Sequence, residues 1–201
     1  MNKWIPFLLL FQFLAIPGHG QFSAFVNHTE IGPLIGQVND TNRRLNFSFQ
    51  SFNGVKFHPN HSVGFLIGLD SYPGFNLMPL ALGWRSILDK GEMTSPYLSL
   101  DIGYGSAWLE NRQRENQMEY WYQGGFMVSP AIGIQKRSKN GGHAFSWSIG
   151  YKKQNASFYE GHKVSGLSKE TSNPLLPPGF QSVREESYVL NSLFIKWGIV
   201  F

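Results

Sequence analysis

The sequence "NSLFIKWGIVF" (residues 191–201) alternates strictly between large apolar residues and smaller or polar ones. The apolar positions are Leu193, Ile195, Trp197, Ile199 and Phe201. The opposite positions carry Lys196 in their centre, next to Phe194 and Gly198. A period of two residues is typical of a β-strand with two different faces. This stretch therefore predicts a strand whose apolar face is covered either by a protein core or by lipid.

The same period recurs along the chain and predicts eight strands. They lie near 29–37, 44–57, 61–70, 76–87, 96–106, 124–136, 143–154 and 187–201. Most have the roughly 9–11 residues that a tilted strand needs to cross a bilayer. The connections alternate between short turns, such as "HPNH" at 58–61, and longer loops at 107–123 and 155–186. Short turns at one end and long loops at the other are typical of an antiparallel up-and-down transmembrane β-barrel.

The composition excludes several classes of protein. Charged residues make up 15% of the chain, well below the roughly 25% of soluble domains. The net charge is +4 but the basic residues are scattered, so we expect no nucleic-acid partner. The chain has no cysteine, which excludes disulfides, thiolate metal sites and a cysteine-linked lipid anchor. We find no nucleotide-binding or metal-binding motif and predict neither a cofactor nor a metal.

Residues 1–20 have the three parts of a secretory signal peptide. Lys3 is followed by a mostly apolar run over 4–16, and small residues lie at Gly18 and Gly20. The apolar run is short for a transmembrane helix. We therefore expect export of the chain, with cleavage after Gly20 and a single β-barrel domain over 21–201.

The strand faces opposite the apolar ones are rich in glycine, serine and alanine, with isolated charges. The lumen of an eight-stranded barrel is only wide enough for side chains, and charges in a low-dielectric interior require partners. The pattern predicts an internal network of three acids and three bases: Glu30, Asp70, Arg85, Asp101, Lys152 and Lys196. The alternative is a soluble sandwich, in which the apolar face points inward and these charges are solvated.

Two features conflict with regular strands. Pro33, Pro79 and Pro130 fall inside predicted strands, where proline removes a ladder hydrogen bond, and we expect a β-bulge at each. Asn53-Gly54 is a hairpin signal. Because residues 45, 47, 49, 55 and 57 share one apolar parity, we interpret this dipeptide as a bulge within one strand.

Several stretches together carry a resemblance to a known family. They are "TEIGPLIG", "FNGVKF", "SVGFLIGLDSY", "PYLSLDIGYG", "SPAIGI", "FSWSIGYKKQ" and "IKWGIVF". The mature chain resembles the small outer-membrane β-barrel proteins of Bacteroidota. The resemblance implies a bacterial outer-membrane location, contact with outer-membrane lipid, and recognition of the last strand by the barrel-assembly machinery through Trp197, Ile199 and Phe201.

Three functions remain open at this stage. The first is a structural or surface-binding barrel that acts through the loops at 107–123 and 155–186. The second is a lipid-modifying hydrolase, for which the loop residues Glu160, His162 and Ser165 are weak catalytic candidates because nucleophile, base and orienting acid must meet in space. The third is a soluble, exported, lipocalin-like carrier. His58 and His61 flank a turn, and we interpret them as polar turn residues rather than metal ligands.

Overall fold

The computed structural model describes residues 25–37, 43–88, 93–139, 142–163 and 176–201. The predicted signal peptide over residues 1–20 lies outside these ranges. The described residues form nine strands: β1 (Phe25–Gln37), β2 (Arg43–His58), β3 (His61–Tyr72), β4 (Phe75–Ile87), β5 (Thr94–Ser106), β6 (Gln113–Glu115), β7 (Met118–Arg137), β8 (Ala144–Lys163) and β9 (Phe180–Val200). No helix in the described ranges is long and apolar enough to cross a membrane.

Eight of these strands form a closed antiparallel ring. From β1 to β5 and from β7 to β9, each strand pairs with the next one in the chain. The ring is closed by pairing of β5 with β7 and of β9 with β1. Strand β6 is a three-residue arm paired only with β7. The prediction of an all-β, eight-stranded, antiparallel up-and-down barrel is confirmed.

The register fixes the width of the barrel. A path along the ladder from Asn27 crosses every strand of the ring and comes back to β1 beside Gln37, ten residues further on. Its successive steps are Asn53, Phe65, Leu82, Ile102, Val128, Lys153 and Asn191. A stagger of this size tilts the strands by roughly 40° and leaves an interior just wide enough for side chains.

The turns at the two ends of the barrel differ in their residues. At the short-turn end β2 and β3 are joined between His58 and His61, directly after Phe57. At the opposite, long-loop end β3 and β4 are joined through Pro73-Gly74, and Gly74 has a φ of 85°. Proline followed by a positive-φ glycine is the chemistry of a type II turn.

The prediction of bulges at the three prolines and at Asn53-Gly54 is wrong. Pro33, Pro79 and Pro130 stay in continuous register with one neighbouring strand. With the other neighbouring strand, two consecutive residues at each proline are unpaired, and the pairing then continues in the same register. Because proline lacks only one donor, the pairs above and below hold the register. Asn53 and Gly54 are also regularly paired on both sides.

The expected loops at 107–123 and 155–186 are also partly wrong. Strands β7, β8 and β9 contain 20, 20 and 21 residues, whereas β1 and β3 contain 13 and 12. The three long strands therefore continue beyond the barrel as a sheet, which we call the upper sheet. It consists of residues 113–124, which include the β6 arm, together with residues 155–163 and 180–191. Its sequence is mostly polar and lacks the alternation of apolar and polar residues from which the other strands were predicted.

Large apolar side chains face outward and charged ones face inward. Phe145, Trp147 and Leu193 are 52%, 56% and 61% exposed, whereas Asp101 and Lys152 are 2% and 1% exposed. This orientation is the opposite of that in a soluble sandwich, where the apolar faces form the core.

Candidate functional site

All six charged residues predicted for the lumen lie buried inside the ring. Arg85 and Asp101 form a two-pronged ion pair in which the guanidinium nitrogens Nη1 and Nη2 donate to the two carboxylate oxygens at 2.6 and 3.2 Å. Arg85 also lies over the Phe52 ring, 4.4 Å from its centroid. A planar fork matched to a carboxylate is the strongest form of this contact.

Two glycines make room for the Phe52 ring against the inner wall. A methyl group on Gly54 would lie 2.6 Å from a carbon of that ring, and one on Gly83 would lie 2.8 Å from another. The ring is fully buried, so any larger residue at either position would displace it. These glycines explain how Arg85 can rest on an aromatic face within so narrow a lumen.

A second ion pair joins Lys152 to Asp70 inside the ring. Both side chains are at most 1% exposed. The other carboxylate oxygen, Oδ1 of Asp70, has no hydrogen-bond partner among the described residues. The pair therefore leaves one carboxylate oxygen of Asp70 without a hydrogen bond from the described residues.

Lys196 and Glu30 are connected through an amide. The Lys196 ammonium donates to Oε1 of Gln50 at 2.6 Å, and Nε2 of Gln50 donates to Oε2 of Glu30 at 2.9 Å. Tyr97 and Ser148 donate to the other oxygen of Glu30 at 3.2 and 2.9 Å. Sequence reasoning missed Gln50, Tyr97 and Ser148, because neutral residues carry no charge signal, although all three have the inward parity of their strands.

Arg44 is a buried cation that the sequence analysis also missed. Its guanidinium donates to Ser192 Oγ at 2.9 Å and lies 5.2 Å from the centroid of the Tyr72 ring. It shares the inward parity of Asn46, Ser48 and Gln50 on β2. The described interior thus has four basic residues against three acids, besides His28, which contacts Ser146 Oγ at 2.7 Å.

Replacing Lys196 by leucine should lower the free energy of unfolding by about 2 kcal/mol. The change leaves the Gln50 carbonyl without its donor and removes a positive charge near Glu30. The expected loss equals the contribution of one hydrogen bond that involves a charged group. Urea titration of the folded barrel would measure the effect. An unchanged midpoint would show that the relay through Gln50 contributes nothing.

The upper sheet carries a charged cluster around Glu119. This side chain is 3% exposed, and its carboxylate pairs with Lys163 Nζ at 2.8 Å and with Arg112 Nη1 at 3.4 Å. The Lys163 hydrogen bond is the main cause of a lowered pKa for Glu119. Beside it, Trp121 stacks on Tyr159 with ring centroids 5.2 Å apart. The cluster ties β7 to β8 at the end of the sheet.

Acid should loosen the upper sheet through Glu119. The folded state holds the pKa of this carboxyl below its ordinary value of 4.5. Its stabilisation is therefore complete above about pH 4.5 and is lost as the pH falls through the lower folded value. We expect amide exchange in residues 118–122 and 158–163 to speed up at low pH in the native protein, relative to the barrel strands. In Glu119→Gln these amides should exchange fast already at neutral pH, and equal exchange in both proteins at neutral pH would contradict the assignment.

The structure describes the weak catalytic candidates only in part, and their grouping stays a prediction. Glu160 and His162 lie on strand β8 rather than in a loop, paired opposite Arg184 and Ser182. Ser165 lies outside the described residues. His61 stacks between Phe57 and Trp84, and the described ranges contain no group of three or more potential metal ligands.

Neither a comparison with protein-family models nor one with curated proteins gives a match for this chain.

Proposed function

We propose that the protein is a bacterial outer-membrane β-barrel with a side-chain-filled lumen, and that its role is structural or surface-binding through the upper sheet. The observation that carries this proposal is the orientation of the wall. A closed ring that exposes its aromatic and aliphatic side chains and buries ionic ones inside is suited to hydrocarbon.

The extent of the exposed apolar surface supports a membrane location. Soluble monomers rarely expose contiguous apolar patches larger than a few hundred Å². Here every strand of the ring contributes large side chains that are at least 38% exposed, among them Ile31, Phe49, Phe65, Leu82, Ile102, Ile132, Trp147 and Ile195. Water would face this whole belt if the barrel were soluble.

The filled interior argues against a diffusion channel and against a carrier. Asp70, Lys152 and Lys196 are at most 1% exposed, so the described centre of the barrel is closed to solvent. Porins that conduct solutes have about 16 strands. A lipocalin-like carrier needs an apolar internal cavity, whereas this interior is lined by ion pairs and amides.

The upper sheet is the part of the barrel suited to an external partner. A strand of 20 residues extends about 66 Å, far more than a membrane-crossing strand needs. The surplus length of β7, β8 and β9 carries aromatic rings and charges together, including Trp121, over which the Arg112 guanidinium lies 5.0 Å from the ring centroid. Aromatic residues and arginine are enriched at protein interfaces.

The absence of native cysteine allows a direct test of location and orientation. Trp108→Cys places a thiol at the long-loop end, where Trp108 is 80% exposed, and Lys139→Cys places one at the short-turn end. A membrane-impermeant maleimide should label Trp108→Cys on intact cells and Lys139→Cys only after the outer membrane is opened.

Two further measurements complete the test. The wild-type protein should fractionate with the outer membrane and migrate as a compact, heat-modifiable band, because closed barrels resist detergent until boiled. Recovery of the wild type in the soluble periplasm would overturn the proposal. Labelling of both thiols on intact cells would overturn the orientation.

A further inference from the structure

The outer wall of the barrel contains an apolar groove that crosses β2, β3, β4 and β5. Its volume is about 690 Å³. The floor is backbone at Gly54, Gly64 and Gly83, which are direct neighbours in the ladder. Its sides are built from outward apolar residues: Val55, Val63, Phe65, Leu82, Trp84, Leu100 and Ile102. Three strand spacings give a length of about 15 Å.

A polar cluster lies at the β2 end of this groove, on the same outer wall. Asn27 Nδ2 donates to Asn53 Oδ1 at 2.7 Å and to Ser51 Oγ at 3.1 Å, and Thr29 Oγ1 donates to Asn27 Oδ1 at 3.0 Å. Asn53 also lines the groove. Ser51 Oγ accepts from Asn27 Nδ2 at 3.1 Å and from Asn53 Nδ2 at 3.3 Å, and it shares a further hydrogen bond with Thr29 Oγ1 at 3.3 Å.

The cluster and the groove are placed like the head and the tail of a lipid. Successive ladder partners from β2 to β5 lie farther and farther from the short-turn end of the barrel. Asn53 is therefore at the end of the groove nearer the short turns, and Ile102 is at the end nearer the long loops. Trp84 borders the groove and stacks on His61 at the short turn, with centroids 5.8 Å apart. Tryptophan side chains favour the membrane interface.

We propose that this groove binds one glycerophospholipid of the periplasmic leaflet, with an acyl chain between Val63 and Leu82 and an ester carbonyl accepting hydrogen bonds from Ser51 and Asn53. The inference rests on the proposed membrane location. Polar side chains on a lipid-facing wall are costly without partners, and an ester carbonyl at this end of the groove is an acceptor for the amide and hydroxyl groups of the cluster.

A second copy of the chain fits the groove less well than a lipid. A two-fold contact pairs a patch with itself, and here that would set one concave surface against another. The Asn27 and Asn53 amides would meet their own copies, but the apolar groove beside them would remain empty. A flexible hydrocarbon chain fills such a groove without that constraint.

Two leucines provide a matched test. Leu82 lines the groove and is 63% exposed, whereas Leu193 is 61% exposed on another part of the wall. Native mass spectrometry of detergent-purified protein, titrated with dioleoyl phosphatidylethanolamine, should show one lipid retained per wild-type barrel. Leu82→Trp should weaken retention about tenfold by occupying the groove, and Leu193→Trp should not.

Asn53→Leu provides a second, independent variant that removes the polar end and leaves the groove open. It should also weaken retention, while heat-modifiable migration shows that each variant is folded. Equal retention by Leu82→Trp and Leu193→Trp, protein dimers in place of the lipid adduct, or a membrane-inserted wild type that retains no lipid would each overturn the inference and leave the proposed location standing. Soluble wild-type protein would instead overturn the location itself.

Discussion

Replacing Asp101 by leucine should destabilise the barrel by about 3–5 kcal/mol, because the Arg85 guanidinium would remain buried without its carboxylate. Arg85 is 4% exposed and donates two hydrogen bonds to Asp101. Phe52 covers one face of the guanidinium. The midpoint and slope of urea unfolding in lipid vesicles give the change in free energy.

The double variant Arg85→Met, Asp101→Leu is the control for this prediction. Removing both partners leaves no uncompensated charge, and replacing a buried ion pair by apolar residues of similar volume is often neutral. We therefore expect the double variant to regain most of the stability lost by Asp101→Leu. A double variant as unstable as the single one would show that the loss comes from packing rather than from the unpaired charge.

In the proposed membrane location, replacing Ile149 by arginine should cost about 2–4 kcal/mol, which is the penalty for a charged side chain on the lipid face near the bilayer midplane. Ile149 is 56% exposed and lies in the middle of the apolar belt. In a water-soluble protein the same substitution at a half-exposed position would be nearly neutral. Unfolding of the purified barrel from lipid vesicles would measure the difference.

Val189 supplies the matched control for Ile149. It is also 56% exposed and points outward, but it lies on the part of β9 that belongs to the upper sheet. Val189→Arg should change the stability by no more than about 0.5–1 kcal/mol. Equal costs at the two positions would place both in the same environment and count against a membrane boundary between them.

The strands of the barrel could be predicted from local sequence because alternation has a period of two residues. The segment 44–57 reads as apolar at 45, 47, 49, 55 and 57, and β2 covers Arg43–His58 with those side chains outward. The same parity predicted Lys196 and Asp101 as inward residues. Neither prediction needed knowledge of which strands are neighbours.

The partners of those inward residues depend on how the ring closes. Lys196 meets Gln50, 146 positions away along the chain, and Arg44 meets Ser192, 148 positions away. These contacts follow from the stagger of the ladder, which sequence alternation does not encode. The regular ladder around Pro33 has the same origin, because neighbouring pairs hold the register where one donor is missing.

The sequence by itself determined the barrel segments of the strands and which of their side chains share a face, since both depend on backbone geometry over a few residues. Only the tertiary structure decided that β7, β8 and β9 extend into a common sheet, that Gly54, Gly64 and Gly83 line up as the floor of a groove, and that an amide joins Lys196 to Glu30. Each of these results depends on closure of the ring, which brings together residues that are far apart in the chain.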